Sequence, residues 1–259
     1  MSTVQNLGAI VTLRDMELFR ILVVTRILDS DQIRTICGFA SVRRTNRRLL
    51  KLVRAGLLRR WFVGTESGGQ KAFYGLSPQG AHMIGEAAQR AMPWKRDSLI
   101  TSSQFLDHQS VINAVFILAR FSPLPPGTVS KTWRKLDEPI SGSVPLVPDA
   151  YLELLQGPST HSFFLEVDLG TESSAIWKGK VEQYLKFAKG NEFERLFGHE
   201  LFRVLVVFRS ARRLDVIRRR VAARTPKLFL FATLDELTKQ GLCGPVWLHP
   251  SGTTKRQLP

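Results

Sequence analysis

The sequence is short of acid. Against 37 lysines and arginines stand 22 aspartates and glutamates, a formal charge of +15 over 259 residues. Such an excess favours a polyanionic partner through long-range attraction and counterion release. Cysteine is scarcer still. Cys37 and Cys243 are the only two, which excludes a four-cysteine or two-cysteine, two-histidine zinc site at the usual spacings and makes a reducing, cytoplasmic setting the expectation. No apolar run is long enough to span a bilayer: the most apolar, LFRVLVVF at 201–208, is broken by Arg203, so nucleic acid stands ahead of an anionic membrane as the partner. The opening MSTVQNLGAIVTLRD lacks a basic start followed by a long apolar core, and no signal peptide is expected. There is no glycine-rich phosphate loop ending in Gly-Lys-Ser/Thr, which argues against ATP-driven work, and no Gly-x-Ser-x-Gly elbow.

What is present divides into two expected domains, since a 44% hydrophobic chain of this length can bury two small cores. Residues 1–92 form the first, 93–104 a linker containing a proline, mixed charge and small polar residues, and 105–259 the second. Apolar spacing in LRDMELFRILVVTRIL (13–28) predicts a helix, and DSDQIRTICG a short second one capped by Ser30 or Asp31. Ser41 caps a third. SVRRTNRRLLKLVRAGLLRR (41–60) holds eight basic residues and no acidic one. On a helical wheel Val42, Leu49 and Val53 share one side, while Arg43, Arg44, Arg47, Arg48, Lys51 and Arg54 fill the opposite arc. Like charges four residues apart repel by a few tenths of a kcal/mol per pair, so an external anion is a more economical explanation than a merely solvated face. LLRRWFV and KAFYGL then read as a hairpin joined by GTESGGQ, followed by a helix with Ser77 as cap and Pro78 in its first turn. Three helices, a hairpin and a closing helix make a winged helix-turn-helix. Its third helix would enter the major groove of double-stranded DNA, and Lys71 on the wing would touch the backbone.

The second half alternates. A helix at 105–121 is followed by strands in TVSKTWRKL, LVPDAYLELL and HSFFLEVDLG, a helix at 173–188, the strand LFRVLVVF, a basic helix at 211–223, the strand KLFLFAT and a helix at 234–240. This αβββαβαβ order is that of a mixed sheet flanked by helices. Strand alternation places Glu166 and Asp168 on one face with Phe164, and Asp149, Tyr151 and Glu153 on one face of the preceding strand. If the strands are neighbours, Asp149 lies near Glu166 and Asp168. Clustered carboxylates repel unless a cation sits among them, and Mg²⁺, or Mn²⁺, takes such hard oxygen ligands together with water and phosphate. The competing reading is a solvent-facing row of acids balancing nearby bases.

VPDAYLEL, FFLEVDLGTES and KGKVEQYL together resemble the second half of the replication-relaxation family, proteins tied to plasmid replication and plasmid DNA relaxation, and a winged helix before them fits it too. The resemblance implies a restriction-endonuclease-like domain with the PD-(D/E)XK signature. Pro148-Asp149 then matches the PD and Glu166 the acid, but Asp168 stands in the lysine slot. Lys178 or Lys180 on the next helix would have to supply a relocated amine. Tyr184 resembles a tyrosine common after the start of this helix, with nucleophile, phosphate contact and packing all open. Asp107 and His108 begin the domain's first helix, His108 as a cap or structural histidine. The other histidines, 82, 161, 199 and 249, are scattered, which argues against relaxases built on a histidine cluster. RSARRLDVIRRR (209–220) is a second basic tract, offset within itself by Asp215 alone.

Two functions follow as expectations. One is a DNA-binding protein of plasmid or mobile-element replication and mobilisation that nicks an origin duplex with a divalent metal. The other is a non-catalytic regulator or initiator whose nuclease-like domain serves dimerisation or contacts with replication or mobilisation proteins. A nuclease completed by a partner's lysine is a third reading, and a palindromic site would call for a homodimer.

Overall fold

The computed structural model describes residues 11–65, 68–86, 96–100 and 104–259. The chain divides into two compact units, Met1–Asn113 and Ala114–Pro259. In the first, helix α1 (Leu13–Thr25) opens with a capping box, in which the Asp15 N–H donates to Thr12 Oγ1 and the Asp15 carboxylate accepts from the Thr12 N–H. Apolar spacing predicts this helix as far as Leu28, yet it stops at Thr25. Arg26 turns the chain with φ of 63°, because Ile27 and Leu28 are taken, fully buried, into strand β1 (Ile27–Asp29). Asp29, rather than Ser30 or Asp31, caps α2 (Ser30–Cys37), accepting from the Asp31 and Gln32 amides at 2.9 Å each. Ser41 caps α3 (Val42–Arg54) as expected.

Strands β2 (Leu58–Gly64) and β3 (Gln70–Leu76) form the expected antiparallel hairpin. Glu66 and Ser67 of its turn lie outside the described residues. Ser77 caps α4 (Pro78–Met83), which approaches the turn between α3 and β2 so closely that a Cβ at Gly80 would lie 2.3 Å from the Leu57 carbonyl oxygen. A short strand, β4 (Leu99–Ile100), runs parallel to β2, so the sheet order is β1-β3-β2-β4. β4 falls within the stretch read as linker, of which residues 93–95 and 101–103 lie outside the described residues. Its cause is apolar burial: Ile100 packs with Ile27, Trp61, Phe73 and Leu106.

Helix α5 (Gln104–Arg120) contains the division between the units. The second unit continues with β5 (Thr128–Lys135), β6 (Ala150–Gln156), β7 (Ser159–Asp168), α6 (Ser174–Lys189), α7 (Glu192–Phe197), β8 (Phe202–Phe208), α8 (Ala211–Ala222), β9 (Phe229–Thr233) and α9 (Leu234–Gln240). The αβββαβαβ order is therefore present, with α7 inserted. The strands form one mixed sheet in the order β5-β6-β7-β8-β9, antiparallel from β5 to β7 and parallel from β7 to β9. Both faces of β8 are covered, which is why its sequence is a near-continuous apolar run. On one face Tyr151, Phe164, Phe202, Val204 and Val206 pack with Trp177, Tyr184 and Phe187 of α6 and Ile217 of α8. Phe164 is central there, its ring within 6.1 Å of six other aromatic rings. Contacts of this kind add about 0.5–1.5 kcal/mol each beyond area burial, and those to Tyr184 and Phe187 seat α6 on the sheet. The fold is thus mixed α/β with two mixed sheets. Among the described residues no helix is long and apolar enough to cross a membrane.

Candidate functional site

Helix α3 buries Thr45, Leu49, Leu52 and Val53. Val42, expected on that side, is 52% exposed in the first turn. Arg43, Arg47, Lys51 and Arg54 follow one another at i, i+4, i+8 and i+11 and are exposed, with exposed Arg44 beside them. Each four-residue step advances about 6 Å along the axis, so the stripe runs most of the helix. Among the described residues none of these five cations meets a carboxylate.

Arg48 behaves differently. Its Nε donates to Asp15 Oδ1 at 2.9 Å and its Nη2 contacts the other oxygen, and Asp15 is almost fully buried. Burial alone would raise the Asp15 carboxyl, but the hydrogen bonds from Arg48 and then Thr12 hold it below its ordinary value. Arg48 thus belongs to the join between α1 and α3 and not to the outward arc. Arg48→Ala should cost about 3–5 kcal/mol by leaving a buried charge uncompensated. Because folding lowers the Asp15 value, the pair's contribution is complete above the ordinary 3.8 and disappears as pH falls through the lowered value. Urea unfolding at neutral pH and at pH near 3 checks both points. Lys71 is also occupied, its ammonium lying 2.8 Å from Asp29 Oδ2 while its side chain stays 43% exposed.

In the second unit the acids come together differently from the expected trio. The Asp149 N–H donates to the Leu165 carbonyl at 3.0 Å, and Ala150 pairs with Leu165. Continuing that register by one residue sets Asp149 against Glu166. The Asp149 carboxylate accepts from the Val167 amide at 2.7 Å. Glu166 is 2% exposed. Lys180 reaches back from α6 to Glu166 Oε2 at 2.7 Å and to Glu172 Oε1 at 2.6 Å, and the Tyr184 hydroxyl donates to Glu166 Oε1 at 2.6 Å. Burial pushes the Glu166 carboxyl up to about 7; Lys180 opposes this and the charge of Asp149 adds to it. Lys178 is exposed, since residues two apart on a helix point to different faces.

Asp168 is committed elsewhere. Its Oδ1 accepts from the Gly170 amide, and its Oδ2 accepts from Trp177 Nε1 at 2.6 Å and from Arg213 Nη2 at 2.8 Å. It is fully buried and ties β7, α6 and α8 together, so the acid in the lysine slot holds three segments in place. Tyr184 is equally enclosed: 0% exposed, with its phenol pushed well above the ordinary value by burial and then by Glu166. Its hydroxyl is engaged by Glu166 Oε1. Of the second basic tract, Arg213 is spent on Asp168, and Arg218 donates to the carbonyls of His249, Pro250 and Gly252. Residue spacing alone could not have found Glu172, Trp177 or Arg213 as members of this network, because each arrives from a separate segment.

Among the described residues no group of three or more His, Cys, Asp or Glu side chains could hold a metal ion. The donor chemistry around Lys180 nevertheless fits a divalent cation. Glu166 and Glu172 share the single ammonium of Lys180, and Glu172 Oε2 is buried without a hydrogen-bond partner. Mg²⁺ needs only one or two carboxylates, with water and phosphate oxygens completing its shell.

Among curated proteins none matches the chain. Solved structures similar to it include restriction endonuclease FokI, at 13% identity and a TM-score of 0.30, and FokI bound to DNA, at 10% identity and the same score. Each match covers 88% of this chain and 43% of that one, so the chain spans less than half the length of those structures. The replication-relaxation family model matches residues 19–201, a stretch that includes α3, Asp149, Glu166, Lys180 and Tyr184 and more than half of the sequence: the chain belongs to the replication-relaxation family.

Proposed function

We propose that this protein holds duplex DNA through α3 and cleaves one strand at a divalent-metal site built on Asp149 and Glu166, in the replication or mobilisation of a plasmid or other mobile element. The observation that carries the reading is Lys180 on Glu166, with Asp149 in register beside them. This supports a reading in which Asp149, Glu166 and Lys180 would take the PD, acid and lysine parts of the endonuclease pattern, the lysine coming from α6. In this assignment residues 1–92 are a winged helix-turn-helix, with α3 in the major groove and the β2–β3 hairpin as its wing, and 105–259 are a PD-(D/E)XK endonuclease-like domain.

Asp149 and Glu166 would hold the cation, Mg²⁺ or Mn²⁺, which when bound supplies charge neutralisation at the phosphodiester and a more acidic water. Tyr184 fixes one oxygen of Glu166 and Lys180 the other, so that the carboxylate cannot rotate away. Burial works to lower the Lys180 ammonium, but Glu166 and then Glu172 outweigh it and keep the value above the ordinary lysine range. Its positive charge suits it to steadying the negative charge that develops on a phosphate under attack.

The assay is a supercoiled plasmid carrying the native replication or transfer origin, incubated with Mg²⁺, Mn²⁺ or EDTA. Open circles should form with metal and not with EDTA. Asp168, fixed as an anchor where the pattern has lysine, favours a second reading: a regulator or initiator whose endonuclease-like domain serves dimerisation or partner contacts. Tight DNA binding with no conversion under any metal would select it.

A further inference from the structure

The end of the chain builds a basic pocket that the proposed cleavage site does not use. Backbone bonds in both directions between Phe231 and Leu248, each 2.9 Å, attach the final segment to β9, and Trp247 and Arg256 pair with each other at 3.1 and 2.8 Å. Between this hairpin and the starts of β8 and β9 lies a cavity of about 630 Å³, lined by Arg203, Lys227, His249, Thr253, Thr254 and Arg256, among others. Phe202 and Val204 face the core under α6 and α8. By strand alternation Arg203 projects to the other face of the sheet, away from Glu166. The pocket also sits at the opposite end of the parallel strands: Arg203 begins β8 beside Phe163, whereas Asp168 ends β7 beside Phe208.

Three exposed cations from three separate segments converge here, and among the described residues none of them meets a carboxylate. Their mutual repulsion has no internal compensation. An independent sign of a missing partner is His249, whose Nδ1 is buried without a hydrogen-bond partner. Burial holds its imidazole below the ordinary value, and the charges of Arg203, Arg256 and Lys227 hold it lower still. Arginine forks, an ammonium and two threonine hydroxyls are donors only or donors by rotation, the set that an oxyanion with several acceptor oxygens satisfies.

The geometry points to a phosphate-binding site formed by Arg203, Lys227, Arg256 and His249, separate from the proposed cleavage site and able to take a phosphate of a nucleic-acid strand or of a small ligand. The test follows the His249 imidazole by NMR in the full chain while inorganic pyrophosphate, or a short single-stranded oligonucleotide, is added. Pyrophosphate should shift the His249 signals and raise its titration midpoint. Arg203→Ala combined with Arg256→Ala should weaken binding at least about tenfold, the loss of one good charge-assisted contact or more. Lys186→Ala combined with Lys189→Ala, which removes the same charge from exposed positions on α6, should leave affinity unchanged. An oligonucleotide that shifts His249 and is displaced by pyrophosphate identifies the phosphate as that of a strand; a response to pyrophosphate alone identifies a small ligand. An unmoved His249 with both probes, or equal losses in the two double variants, overturns the assignment.

Discussion

Asp149→Ala should stop the conversion of supercoiled plasmid to open circles, slowing it by at least about a hundredfold, while affinity for the same DNA is unchanged. Lys180→Met should slow cleavage by about 10²–10³, the usual cost of removing a group that meets developing charge. The two variants part company in stability. Asp149 is half-buried, whereas Lys180 is the ammonium on a carboxylate that is 3% exposed. Removing it should destabilise the fold by about 3 kcal/mol near pH 8. Folding raises the Glu166 carboxyl from 4.5 to about 7, so the fold favours its protonated form and ionisation works against it as pH rises through that value. Without Lys180 the ionised form loses its only charged partner in this network and keeps the Tyr184 hydroxyl alone. The stability gap between wild type and Lys180→Met should therefore narrow on going from pH 8 to pH 5. A gap that is constant with pH would mean that the two groups do not act as a pair, and cleavage surviving in Asp149→Ala would remove the site from the mechanism.

Arg43→Ala combined with Arg47→Ala should weaken duplex binding by on the order of tenfold to a hundredfold and lower the slope of log affinity against log salt by roughly 2, about 0.9 for each lost phosphate contact. The melting temperature should hardly move, because both side chains are exposed and neither meets an acid among the described residues. Arg48→Ala provides the internal contrast. It lies on the same helix and removes the same charge, but its guanidinium is spent on Asp15, so it should lower stability and leave the salt slope of the folded protein as it was. Fluorescence anisotropy with a labelled origin duplex at several salt concentrations separates the two. Equal salt slopes for wild type and the Arg43, Arg47 variant would exclude α3 as the DNA-contacting face.

The contrast between Arg47 and Arg48 shows where reading a sequence stops. A helical wheel assigns both to one arc, because it knows the angle of each residue and not the position of a partner 33 residues earlier. Capping carries the same lesson on a smaller scale. DSDQ offers three acceptors, and the one used, Asp29, was decided by β1, which ends the extended chain one residue before the helix. Val42 fits the apolar side of the wheel and is nevertheless exposed.

What the sequence by itself determined was what rests on local periodicity: the three helices and hairpin of the first unit, the αβββαβαβ order of the second and the cationic stripe of α3, because the turn of a helix and the alternation of a strand are properties of neighbouring residues. Only the tertiary structure decided which charges were free to act. A long side chain finds its partner through space, so Lys180 rather than Lys178 reaches Glu166, Asp168 is consumed by Trp177 and Arg213, and Tyr184 is sealed beneath the carboxylate it orients. Burial makes those choices binding, since a charge removed from water must keep whichever partner the fold has placed beside it.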